Sequence, residues 1–143
     1  MRAVRLLIGL AAGLGTGATA ACSDSTGPNP DALAGAYQLT SINGQPLPFL
    51  WLFEDADNQV SFVSGIVTLN ADLSFVDETE FSVTEDGQTR TDQLVASGAW
   101  SLEENIVTFS AEGGETYTMT WNGSNRLTQN FQGLILVYER SAP

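Results

Sequence analysis

The 143-residue sequence has no histidine, no lysine and a single cysteine, Cys22. Without histidine it lacks the commonest general base and the commonest zinc ligand. Serine and threonine are plentiful, but a hydroxyl nucleophile needs a base to activate it, and neither histidine nor lysine is there to do so. Only carboxylates remain for acid–base work, and no Asp/Glu pair announces the facing arrangement that a glycosidase needs. No catalytic residue, metal site or cofactor is therefore assigned. Positive charge is also scarce: five arginines stand against seventeen acids, for a formal net charge of −12. No basic patch can form, so nucleic acid is not expected as a partner. The acidity reads first as solubility of an exported surface, and second as cation binding.

What is present begins with a leader. Arg2 and Arg5 give a positive start, Leu6-Leu7-Ile8-Gly9-Leu10 opens an apolar run, and small residues fill positions 13 to 21. That is the layout of a secretory signal peptide. Leu6 to Ala21 is too short and too rich in Gly and Ala for a membrane span, which needs about 20 strongly apolar residues. Thr19-Ala20-Ala21-Cys22 resembles the bacterial lipobox, where a diacylglycerol is added to the cysteine before cleavage; Thr19 stands where the pattern prefers leucine. An exported chain with one cysteine cannot form an internal disulfide, and acylation removes the liability of a free thiol. The resemblance implies a lipid anchor on Cys22 and the bilayer as a partner. Ser23 after the cysteine leans the expected location toward the outer membrane, facing the periplasm. Polar, Pro- and Gly-bearing residues follow as a flexible linker. The expected division is signal peptide 1–21, acylated cysteine and linker 22–33, and one domain 34–143.

From Gly35 onward the pattern is strand. Gly35 to Ile42 alternates, with Tyr37 and Leu39 on one face, and Asn43-Gly44 marks a turn. Gln45-Pro46-Leu47-Pro48 cannot be a central strand, because proline lacks an N–H donor. Phe49-Leu50-Trp51-Leu52-Phe53 is an apolar run without alternation. It reads as a short helical turn plugging the sheet, a lid over a cavity, or an exposed patch for membrane or partner. Asp55 and Asp57 suit the start of a calcium loop, but Val60 stands where such a loop needs glycine, so a solvated loop is the better reading. Further strands are expected over 60–70, 73–84, 88–96, 97–102, 106–110, 115–121, 126–130 and 134–140. Tyr117, Met119 and Trp121 share one face at period two. Eight or nine strands joined by short turns imply consecutive antiparallel neighbours, either closed into a barrel or folded as a sandwich.

Gly35-Ala36-Tyr37, Asn43-Gly44-Gln45-Pro46-Leu47-Pro48, Leu69-Asn70-Ala71-Asp72-Leu73-Ser74-Phe75, Ser97-Gly98-Ala99-Trp100 with Ile106-Val107-Thr108-Phe109, and Val137-Tyr138-Glu139-Arg140 together resemble the lipocalin-like domains of bacterial lipoproteins. In the third motif Leu73 replaces the family's glycine. The resemblance implies an all-β, antiparallel up-and-down β-barrel of about eight strands, able to enclose one small apolar ligand and carrying no catalysis. It also implies that Arg140 of the last strand covers Tyr37 of the first in a structural cation–π contact at the closed end. The interior aromatics are core by default. Phe49, Trp51, Phe53, Trp100, Tyr117 and Trp121 are the candidate ligand or lid contacts. The rival expectation is a barrel filled by its own side chains that binds an envelope protein.

Overall fold

The computed structural model describes residues 29–142. The expected signal peptide, Cys22 and most of the expected linker lie outside them. The ordered chain starts before residue 34. Pro30–Leu33 forms a helical turn, α1, with Asn29 accepting a hydrogen bond from the Asp31 N–H and Pro30 in its first turn. Proline suits that position because its missing N–H has no intrahelical partner there anyway. Leu33 is fully buried, so it belongs to the domain core and not to the linker.

The strands are β1 (Gly35–Ile42), β2 (Gln45–Pro46), β3 (Phe49–Asp55), β4 (Asn58–Leu69), β5 (Ser74–Glu85), β6 (Gln88–Glu103), β7 (Ile106–Ala111), β8 (Thr116–Trp121), β9 (Arg126–Phe131) and β10 (Leu134–Arg140). All neighbours are antiparallel and run in the order β2-β1-β10-β9-β8-β7-β6-β5-β4-β3. Pairing of Gly35–Gln38 on β1 with Ile66–Leu69 on β4 joins the two sides and closes an eight-strand barrel. The short β2 and the apolar β3 lie outside that ring, each against one wall strand. Closure removes most of the sheet edges on which another chain could pair.

Two expectations need correction. Phe49–Phe53 is not a helical turn. It is the core of β3 and hydrogen-bonds to Gln59–Phe62 of β4. The run shows no alternation because both faces are apolar and the pairing is irregular between Leu50 and Leu52: Phe49 and Trp51 are half-buried, while Leu50, Leu52 and Phe53 are exposed. Residues 88–96 and 97–102 are not two strands either. They form the single β6, which pairs with β5 from Gln88 to Ala99 and with β7 from Gly98 to Glu103. The first half has a partner on one side only, so nothing there demands apolar residues. Gly98 sits where β7 closes in: a Cβ at that position would lie 2.1 Å from the Ser110 carbonyl oxygen, a distance only glycine avoids.

The turns joining β4 to β5, β6 to β7 and β8 to β9 gather at one end with α1. That end is sealed. Leu33, Tyr37, Leu69, Phe75, Trp100, Val107, Phe109, Met119 and Leu127 are each at most 2 % exposed. Phe75 meets Phe109 edge-on at 5.0 Å. Trp100 donates its indole N–H to the Asn70 carbonyl at 3.1 Å, and Trp121 donates to the Ser124 carbonyl at 3.2 Å. Both large aromatics are thus buried without an unpaired donor, which burial of an indole requires.

Candidate functional site

The other end of the barrel is open. Strands β4, β5 and β6 run past the short β7–β8 hairpin, whose last pair with β6 is Gly98 with Ala111. Between residues 88–97 of β6 and the 111–116 turn the wall is therefore missing, and the interior opens to water there. Behind the gap lies a cavity of about 450 Å³, with Phe62, Asp77, Thr79, Phe81, Leu94, Ala96, Tyr117, Gln129, Phe131, Leu136 and Tyr138 along its walls and Glu115 and Thr116 at its rim. Ligand pockets of small-molecule binding proteins span about 300–1,000 Å³ and are mostly apolar with a few placed polar groups.

Period two puts these side chains inside. On β5, Phe75, Asp77, Thr79, Phe81 and Val83 alternate toward the interior, and Ala96 and Leu94 on β6 stand opposite Asp77 and Thr79. Tyr117 on β8 forms the cavity floor. Its ring stacks on Phe109 at 4.8 Å with planes 4° apart, so the floor rests directly on the sealed core.

Asp77 is the polar exception. The Tyr117 hydroxyl donates to its Oδ2 at 2.7 Å. Its Oδ1 is buried and has no hydrogen-bond partner. Burial pushes the Asp77 carboxyl above the usual carboxylate range, and the Tyr117 hydrogen bond only partly opposes this. Burial, then the charge of Asp77, raises the hydroxyls of Tyr117 and Tyr138 as well. Asp77 lay hidden in the polar stretch Asp77-Glu78-Thr79-Glu80. The signal that finds it is parity with Phe75 and Phe81.

Trp51 packs behind three of the lining rings at the open end and is not itself on the cavity wall. From β3 its ring lies 5.3 Å from Phe62 and 6.2 Å from Phe81 on one wall, and 5.7 Å from Phe131 on β9. It touches three lining rings from outside the ring of strands, and Phe49 packs beside it against the core. Of the other candidate contacts, Tyr117 lines the cavity. Trp100 and Trp121 are packed at the sealed end, away from it. Phe53 is 63 % exposed and lines a separate shallow groove with Leu52, Val60 and Val83.

Tyr37 and Arg140 stand opposite each other on β1 and β10, with the guanidinium carbon 5.1 Å from the ring centroid. Arg140 also donates to the Tyr37 hydroxyl at 2.6 Å and to the Ala32 carbonyl, and the Tyr37 hydroxyl donates to the Leu33 carbonyl at 2.8 Å. One arginine thus ties α1, the first strand and the last strand together. In the Asp55–Asn58 turn, Asp55 accepts from the Asp57 N–H and the Asn58 side chain, a local turn use of the carboxylate. Among the described residues no group of three or more Asp, Glu, Cys or His could hold a metal ion. None of their helices is long and apolar enough to cross a membrane, which says nothing about strands.

The family model of the lipocalin-like domain matches residues 33–129. No curated protein and no solved structure matches the chain.

Proposed function

Since the chain belongs to the lipocalin-like domain family, whose members are typically non-catalytic binding proteins, we propose that it is a non-catalytic binding module for a small, largely apolar molecule, held at the cell envelope by an acylated Cys22. The observation that carries the ligand reading is the open-ended cavity of about 450 Å³ walled by Phe62, Phe81, Phe131 and Tyr117. A barrel of this size is commonly filled by its own side chains; here the filling stops at the Phe109–Tyr117 layer. The anchor reading rests on the leader and on Thr19-Ala20-Ala21-Cys22. Two or three acyl chains hold a protein firmly, where one does so only marginally.

Native mass spectrometry of the protein gently extracted from its own envelope tests both parts. The expected result is a mass for acylated Cys22 together with a bound small molecule. An unmodified cysteine removes the anchor. An empty domain that takes up nothing from a lipid and metabolite extract removes the ligand reading. One observation favours a second function, a protein-interaction lipoprotein: Leu50, Leu52 and Phe53 of β3 are 47 %, 51 % and 63 % exposed. Crosslinking from position 52 checks that alternative.

A further inference from the structure

We propose that the cavity selects a ligand carrying a protonated amine, with the ammonium seated on Asp77 and the hydrocarbon part against the aromatic walls. This deepens the cavity reading above and rests on it.

A buried acceptor without a partner is costly to keep, and cores are seldom left with one. Asp77 Oδ1 is such an atom, and Asp77 lines a cavity with room for a guest, so a small turn of the carboxylate brings it to the cavity. Tyr117 already donates to Oδ2 and so fixes the carboxylate's direction. What is missing is a donor, not an acceptor. Charge decides which donor. The cavity surface carries two carboxylates, Asp77 inside and Glu115 at the rim, and no arginine. The three arginines of the barrel are engaged elsewhere: Arg90 with Glu85 and Asp92, Arg126 with Glu139, and Arg140 with Tyr37. An anion would therefore meet uncompensated repulsion in a half-desolvated site. A neutral alcohol would satisfy Oδ1 but leave the carboxylate's charge without a counter-charge. An ammonium gains the charge-assisted hydrogen bond, and the faces of the surrounding rings are electrostatically negative and favour a cation. The net acidity of the whole chain draws cations in the same direction.

The burial that raises the Asp77 carboxyl adds a second signature. A bound ammonium favours the ionised carboxylate, so the ligand and a proton compete for Asp77. The groups facing Asp77 are Tyr117 and Tyr138, with Glu115 at the rim. Both tyrosine hydroxyls are themselves raised, so across neutral and acidic pH they stay uncharged.

Isothermal titration with octylamine, octan-1-ol and octanoate tests this, because the three share one chain and differ in the head group. The expected order at neutral pH is octylamine tightest, by about ten-fold over octan-1-ol, with octanoate weakest. Asp77→Asn should reduce the amine preference to about two-fold or less, while Glu103→Gln, at the far end of the barrel, should leave it intact. In the unaltered protein the preference should shrink as pH falls toward the ordinary carboxyl value of 3.8, with octylamine still charged; this arm needs no variant to fold. Equal binding of amine and alcohol, or a preference that survives Asp77→Asn, would overturn the proposal and leave the cavity reading standing. If none of the three binds, the cavity reading falls with it.

Discussion

At the sealed end of the barrel every buried indole N–H has a carbonyl to meet, and Arg140 joins the first strand, the last strand and α1. At the open end, some of the same strands carry a carboxylate oxygen with no partner and Leu94 at 64 % exposure facing inward, and the half-buried indole of Trp51 packs against their rings from β3. The two halves obey one alternation rule, so the difference does not come from local structure. It comes from strand length. Strands β7 to β10 have six or seven residues each, while β4, β5 and β6 have twelve to sixteen. The short strands can complete the wall over one half only. Apolar burial is concentrated where all eight strands are present and apolar surface is left open where they are not, while each end keeps one buried polar atom without a partner, Arg140 Nε at the sealed end and Asp77 Oδ1 at the open one. Such an uneven distribution is what binding proteins show when stability and function compete for the same side chains.

The strongest way to break the contrast is at its stable side. Trp100→Ala removes a side chain that is 2 % exposed together with its hydrogen bond, and should cost about 3–5 kcal/mol, read as a lower urea midpoint or as failure to fold. Trp51→Ala, at the open end, should cost about 2 kcal/mol or less, because the ring is already partly in water. The same change should weaken uptake of an apolar ligand several-fold. Comparable losses from the two variants would show that Trp51 is core.

Leu73→Gly sharpens the comparison from the sealed end. Leu73 has a φ of +67°, a left-handed conformation that costs an ordinary L-residue about 1 kcal/mol and costs glycine nothing. Its side chain is 42 % exposed, so little packing is lost. The variant should melt a few degrees higher. The smallest expected effect is at Asp77. Without ligand, Asp77→Asn should stabilise the domain by about 1 kcal/mol at neutral pH by removing a buried charge. The sign follows from the raised carboxyl. The fold favours protonated Asp77, so the unaltered protein gains stability as pH falls through the raised value and keeps the full gain below the unfolded value. The advantage of Asp77→Asn should therefore fade as pH falls toward 3.8. An advantage that does not change with pH would mean that Asp77 is not ionised in the empty site.

Much of the barrel was legible because one face of each strand is wet. Tyr117, Met119 and Trp121 alternate with threonines, and the parity places all three inside. Reading failed where that contrast vanishes. On β3 both faces are apolar, so Trp51 and Leu52 look alike in sequence although one touches the cavity walls and the other faces water. On β6 the first half lacks a neighbour on one side, and its polar residues looked like a separate edge strand. Tyr37 and Arg140 were identified by family likeness, since nothing in their spacing pairs residues 103 positions apart. Asp77 was overlooked for the opposite reason: a carboxylate in an acidic stretch looks like surface. Only its place in the alternation between Phe75 and Phe81 marks it as interior.

One consequence follows from where the chain enters the barrel. Helix α1 begins at the sealed end, where the Tyr37 hydroxyl and Arg140 hold its carbonyls. On the proposed anchor at Cys22, the leash up to Asn29 can reach at most about 25 Å even when fully extended. With such an anchor the sealed end would be the one held near the bilayer. The domain would then be moored by its base, with the open end away from the tether.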